Sequence, residues 1–329
     1  MKIDVFDRRP PDPFAAALHE FESQFHYPLG SDASFRISHG DDYTRFFRAI
    51  GDARCFVASD AGMVHGVISV ALCDLHQPGG EVVRGVYFCD LKIKPAGIGR
   101  GRVLIKLFAA VKDWIGQQAQ FGFGVVMDGT SQIPTDYTGR LGIERFAPLA
   151  QLSILRIPSD IRTQSISDPG SKTTRVAVDA VTRMHVDLMP DTYANQSGDP
   201  GLRSQIEPIG LQQENDRSGR VTACGILEDT RRAKRLLVEP AGEMISAHLS
   251  CFSYRNFRDG YDLIQAARTE CFHQRIPALF VAVDESDREK FVERIADDRL
   301  VVAPAIVYGY AVPDHPIKVG RWSINTSEI

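Results

Sequence analysis

The stretch Leu91–Trp114, LKIKPAGIGRGRVLIKLFAAVKDW, decides how this chain is read. A β-strand is predicted to run into a loop with glycine at every second position, Gly97, Gly99 and Gly101. A helix follows, with apolar residues Leu104, Leu107, Phe108, Val111, Trp114 and Ile115 at i, i+3, i+4 spacing. Backbone N–H groups at a strand–loop–helix junction point outward, and the helix dipole adds partial positive charge. Such a junction cradles a phosphate or pyrophosphate. A Walker loop is excluded because no Gly-Lys-Ser/Thr follows. The G-x-G-x-G spacing also departs from the G-x-G-x-x-G of dinucleotide folds, and a hairpin precedes it rather than the first strand of a βαβ unit.

Upstream, RCFVASDAGMVHGVISVAL reads as a β-hairpin turning at Asp60-Ala61-Gly62, and Gly85–Ile93 as the strand entering the glycine loop. Before these come a strand at Ser34–Ser38, a helix at Asp41–Ile50, and an extension over residues 1–33 with a helix at Phe14–Phe25. Downstream lie strands at Gly122–Met127 and Leu149–Ile157, joined by the polar loop MDGTSQIPTDYTGR. Thr163–Lys172 reads as a linker, and Met189–Arg220, rich in Pro, Gly, Asn, Gln and Asp, as long surface loops.

The remainder repeats this order. ACGILEDTRRAKRLLV matches the hairpin, MISAHLSCFSY the strand before the glycine loop, RDGYDLIQAARTECFHQ the helix, and ALFVAVDE the strand after it. A helix at Ser286–Ile295 and a buried strand over Val301–Val312 close the unit. The second copy has YRNFRDGYD where the first has PAGIGRGR. Asp259 and Asp262 near the helix start compete with an incoming phosphate.

With 329 residues, two domains are expected: 34–165 and 166–329, after the 1–33 extension. The net charge of −4 argues against a DNA or membrane-surface binder. The six cysteines are scattered without C-x-x-C spacing, which suits reduced, mostly buried thiols. The start, MKIDVFDRRPPDP, lacks the apolar core of a signal peptide, and no apolar run spans a membrane. A cytoplasmic location is expected. His65 and His76 lack metal-ligand spacing, and no metal is expected; His39, with Asp41 and Asp42, reads as a helix start. The charged run Glu228–Arg235 reads as a solvated turn.

Hairpin, strand, glycine loop, helix, strand, polar loop, strand: this order, over about Ser34–Pro158, resembles the GNAT superfamily of N-acyltransferases. FVASDAGMVHGVISVAL is similar to its central hairpin, LKIKPAGIGRGRVL to its acyl-CoA pyrophosphate motif, and YTGRLGI to its later aromatic–Leu–Gly–Phe segment. The second half resembles the same fold without the motif, as in double-GNAT chains with one degenerate half. The implied fold is α/β, with two tandem GNAT-like domains whose mixed, mostly antiparallel twisted sheets are flanked by helices. Two registers of the motif fit. They put Ala96 or Lys94 where Arg or Gln is usual. In the later segment Thr138 holds the usual tyrosine place, Tyr137 lies one residue earlier, and Ile143 replaces phenylalanine.

The resemblance implies acetyl-CoA or another acyl-CoA as co-substrate, held by Leu91, Ile93, Gly97, Ile98, Gly99, Arg100, Gly101 and Arg102. It implies direct acyl transfer to a small-molecule or peptide amine, and is compatible with a homodimer. An ammonium of pKa near ~10 must lose a proton before it attacks a thioester. Asp90 is the candidate base, and Glu81 a weaker one. Strand alternation puts Asp90 on one face with Phe88 and Lys92, opposite Cys89, Leu91 and Ile93. Its bland roles are a pair with Lys92 or Arg84, or exposure to solvent. Tyr137 is the candidate donor to the leaving thiolate. Two alternatives stand beside this reading: a non-catalytic acyl-CoA-binding scaffold, and an aminoacyl-tRNA-dependent transferase of double-GNAT architecture.

Overall fold

The computed structural model describes residues 1–29, 33–94, 100–130, 132–160, 171–195, 198–215, 218–311, 317 and 320–329. The first half runs β1 (Lys2–Phe6), α1 (Asp12–Glu22), β2 (Tyr27–Leu29), β3 (Ala33–Ser38), α2 (Arg45–Arg48), β4 (Asp52–Asp60), β5 (Met63–His76), β6 (Val82–Ile93), α3 (Arg100–Ile115), β7 (Phe121–Met127), α4 (Pro134–Tyr137) and β8 (Ala147–Pro158). The second runs β9 (Ser171–Val176), α5 (Val178–Leu188), β10 (Thr192–Asn195), α6 (Pro200–Arg203), β11 (Ile209–Asn215), β12 (Arg220–Glu228), β13 (Arg235–Glu239), β14 (Gly242–Glu243), β15 (Ala247–Tyr254), α7 (Phe257–His273), β16 (Ala278–Asp284), α8 (Arg288–Ile295), β17 (Val301–Ala311) and β18 (Arg321–Ser323).

Among the described residues one large sheet runs β1-β4-β5-β6-β7-β17-β8-β16-β15-β12-β11-β9, with β10 and β18 attached off this path. The two ends mirror each other, and the middle is exchanged. β17, from the second half, pairs antiparallel with β7; β8, from the first, pairs antiparallel with β16. Each half's sheet is thus extended by a strand of the other. A small second sheet, β14-β13-β3-β2, also joins the halves.

Two layers of helices cover the large sheet. On one face of the first half, Val103, Leu107, Val111 and Ile115 of α3 bury against Phe56, Ile68, Val70 and Val86. The i, i+4 stripe is the expected one, displaced by a residue at its start, where Val103 rather than Leu104 is buried. On the other face Leu18 and Phe21 of α1 and Phe46 and Phe47 of α2 join Tyr87, Phe123, Leu152 and Trp322. The second half repeats the scheme with α7 and α8 on one face and α5 on the other.

Three expectations need correction. The described residues of 189–220 are not all surface loops: Tyr193 of β10 and Arg203 of α6 are fully buried, and β11 is an interior strand. The second hairpin is β11–β12 rather than 223–238. β13 leaves the large sheet to pair with β3, because the intervening run is not a solvated turn. Glu228, Asp229, Thr230 and Lys234 are buried there. Arg203 clasps Glu228 in two bonds of 2.7 and 2.9 Å, reaches Glu328 at 3.2 Å and donates to the Ala49 carbonyl at 3.2 Å, so a charge that looks solvent-bound in sequence ties the second half to the first. The expected linker lies outside the described residues apart from its end at Ser171 and Lys172. All six cysteines are free thiols, five of them buried.

Candidate active site

β6 and β7 pair in parallel over three positions, Gly85↔Phe121, Val86↔Gly122 and Tyr87↔Phe123. Beyond these the pairing stops, and this interruption between Phe88–Ile93 and Gly124–Met127 is a gap in the sheet's ladder. A β-bulge sits at its apex. On β5, Ser69 and Val70 are consecutive, but they face Asp90 and Phe88, leaving Cys89 as the extra residue.

The bulge overturns the alternation expected for β6. Phe88, Leu91 and Ile93 pack on the α3 face. Cys89 packs on the opposite face, where Tyr43 and Lys92 meet Asp90. Asp90 therefore shares a face with Cys89 and Lys92 and stands opposite Phe88.

On that face Asp90 joins a compact cluster. The Tyr43 hydroxyl and Lys92 Nζ each donate to Asp90 Oδ2 at 2.6 Å. Asp90 Oδ1 has no partner among the described residues. Lys92 Nζ also lies 3.6 Å from Glu22 Oε1. His39 binds Glu22 twice, through its backbone N–H at 2.9 Å and through Nδ1 at 2.5 Å. Tyr43, Phe46 and Phe47 ring the imidazole at 4.8–5.4 Å. The Asp90 side chain is 12% exposed, whereas those of Glu22, His39 and Lys92 are 3% or less.

Burial opposes the ionisation of Glu22, but His39 and Lys92 outweigh it and hold the carboxyl down at about 2. Burial and the neighbouring carboxylates push the Tyr43 hydroxyl well up, so it stays a donor. The Lys92 ammonium is raised, because its carboxylate partners outweigh its burial. Lys234, brought in just ahead of β13, has its Nζ 4.5 Å over the Phe46 ring and bonds to the Ile329 carbonyl; burial and the nearby Arg203 lower it to about 7.

Glu22, His39 and Asp90 offer donor atoms within 4.8 Å of one another, a spacing that could hold a metal. Lys92 already brings a cation against both carboxylates, so the cluster is neutralised from within.

The other candidates fall as follows. Pro95–Gly99, and with them Gly97, Ile98 and Gly99, lie outside the described residues, as does the Arg100 side chain. Leu91 and Ile93 line the α3 side of the gap. Gly101 and Arg102 are exposed in the first turn of α3, which carries no acidic residue, and a Cβ on Gly101 would meet nothing within 4 Å. Glu81 is exposed before β6 begins, nine residues from Asp90 and so about 30 Å along the strand. Arg84 pairs with Asp74 rather than Asp90. Tyr137 ends α4, where burial and the nearby Asp136 raise its hydroxyl to about 12. Thr138 is structural: its hydroxyl donates to Pro134 O at 2.7 Å and accepts from Phe146 N at 3.1 Å.

Sequence reasoning missed Glu22 and His39. A signal was present, since Leu18, Phe21, Glu22 and Phe25 form one i, i+3, i+4, i+7 stripe and put a carboxylate on the core face of α1.

The second half builds the same gap and fills it. β15 pairs with β16 only at Ala247↔Leu279 and His248↔Phe280, and its bulge falls at Cys251 and Phe252. Residues 321–328 occupy the opening. Cys251 N donates to Asn325 Oδ1 at 2.7 Å, Ser250 and Ser327 share a hydrogen bond of 2.7 Å, and Arg321 bonds to Asp284 and Asp287 at 3.2 and 3.0 Å. The α7 N-terminus is capped by Asn256, which accepts from Asp259 N at 3.1 Å.

No family model matches the sequence, and no curated protein matches it by sequence. Solved structures do resemble the fold. One is Saccharomyces cerevisiae N-myristoyltransferase with bound myristoyl-CoA, at TM-score 0.59 and 10% identity over 99% of this chain and 82% of that one. Another is a tandem GNAT protein from the clavulanic acid biosynthesis pathway, at TM-score 0.56 and 9% identity over 96% of this chain and all of that one. A third is a GCN5-related N-acetyltransferase from Anabaena variabilis, at TM-score 0.53 and 10% identity over 94% and 73%. The fold is the tandem GNAT-like one, a mixed α/β sheet flanked by helices.

Proposed function

We propose that the chain is an acyl-CoA-dependent N-acyltransferase, with its reaction centre in the first half. The observation that carries this reading is the β6–β7 gap, with a bulge at its apex and Asp90 beside it. The likeness to acyltransferase folds supports it. The glycine loop and the first turn of α3, residues 97–102, hold the pyrophosphate, and the pantetheine arm lies along Leu91 and Ile93. The thioester then sits near Cys89, and the amine arrives on the Asp90 face.

An ammonium acceptor hands one proton to Asp90 Oδ1, directly or through water. The free amine attacks the thioester carbonyl, the new C–N bond forms as the C–S bond breaks, and the nitrogen's second proton passes to the departing CoA thiolate, directly or through water, leaving the amide and the CoA thiol. With its hydroxyl near 12, Tyr137 serves that thiolate as a hydrogen-bond donor rather than as a net acid. Acetyl is the acyl group proposed. The acceptor is a small-molecule or peptide amine. Among the described residues no helix is long and apolar enough to cross a membrane.

The test is thioester cleavage of acetyl-CoA against spermidine, free lysine and a short peptide with a free N-terminus, in wild type and Asp90→Asn. Amine-dependent cleavage that falls about 100-fold in the variant, with acetyl-CoA binding retained, is the expected outcome. Cleavage unchanged by the variant would remove Asp90 from the mechanism.

A further inference from the structure

Behind Asp90 lies a row of groups that the reaction as proposed does not touch. His39, Glu22, Lys92 and Asp90 follow one another at 2.5, 3.6 and 2.6 Å, with the Lys92 ammonium between the two carboxylates. They come from three places in the chain: α1, the residue following β3, and β6. The first three are almost wholly enclosed, and only the last meets solvent. Burying ionised groups costs free energy unless each is matched, and a pair of apolar side chains would pack this space more simply.

We propose that Glu22 and His39 are positioning residues for Asp90, acting through Lys92. Glu22 draws part of the Lys92 charge away from Asp90. Both hydrogen bonds that Asp90 accepts from Tyr43 and Lys92 fall on Oδ2, which leaves Oδ1 for the acceptor. Without Glu22 the whole ammonium charge would act on Asp90 and weaken it as a base. His39 keeps Glu22 ionised and fixed. This inference takes its purpose from the acyl-transfer reading, but its test needs no substrate.

The test is a carboxyl 13C NMR titration, with the Asp90 signal assigned by its loss in Asp90→Asn. Tyr27, Tyr43, Cys55, Cys89, Lys92 and Lys234 also act on this carboxyl and are unchanged in the variants. Glu22→Gln keeps the shape and removes one negative charge, so the Asp90 midpoint moves down by about one pH unit. His39→Gln removes the group that keeps Glu22 ionised, so the midpoint moves down as well. Either variant, folded and with the Asp90 midpoint unmoved, would overturn the proposal; a loss of thermal stability alone would mean that the residue only packs. Failure of acetyl-CoA to bind would count against the acyl-transfer reading and leave these titrations unaffected.

Discussion

At the scale of residues, the interior of this molecule is set by how each buried charge is met. Glu22 is matched and stays ionised. His248 and His185 are enclosed, and stay neutral instead. His248 stacks on Phe280 at 5.3 Å, with Thr326 and Thr230 at its ring nitrogens, and burial lowers it to about 3. His185 is lowered to about 4 by burial and by His76. Both begin from 6.5, so on acidification the unfolded chain takes up protons that the folded chain refuses. Stability is full above about pH 6.5 and falls as the pH drops towards these lowered values. Urea unfolding at pH 7 and pH 5 should differ by about 2–4 kcal/mol from the two histidines together; equal stabilities would mean that one or both is protonated in the fold. Sequence reading singled out Asp90, because a carboxylate inside an apolar strand stands out locally. It did not join His39 to the Asp90 cluster, because burial there depends on α1, whose contact is 17 residues away.

At the scale of elements, α3 and β6 do the positioning. α3 lies close on β5: a Cβ on Gly66 would come within 2.7 Å of Val103 Cγ1. Leu107, wholly buried, anchors the middle of the helix and thereby the direction of its N-terminus. Leu107→Ala should cost about 2–5 kcal/mol in urea unfolding and weaken acetyl-CoA binding. Leu263→Ala, at an equally buried place on α7, should cost a similar amount and leave that binding unchanged. Equal weakening by both would mean that general loosening, not the α3 N-terminus, governs affinity. The 3.6 period and the two copies of strand order made these elements legible. The bulge at Cys89 was not legible, since one extra residue leaves no mark in an apolar strand, and so Asp90 was placed with Phe88 instead of Cys89, while its companion Lys92 was as expected.

At the scale of the whole molecule, exchange of β8 and β17 joins the two halves, and the second gap is closed by residues 321–328. The element order of both halves was readable as a repeat. Their exchange was not, because partner choice between β7, β8, β16 and β17 is decided by contacts across the chain rather than by local pattern. Arg203 shows the same limit: in sequence it sits in a polar, glycine-rich run, and in the fold it is wholly buried between Glu228 and Glu328. With the proposed function, the segment 321–328 across the second gap predicts one acyl-CoA per chain. The most direct test is calorimetric titration with acetyl-CoA, with ATP as a control, followed by thermal unfolding. The expected result is a single site per chain, no heat with ATP, and about 2.7 kcal/mol of stabilisation at one hundred times Kd. Two equivalent sites, or no binding of acetyl-CoA at all, would contradict it.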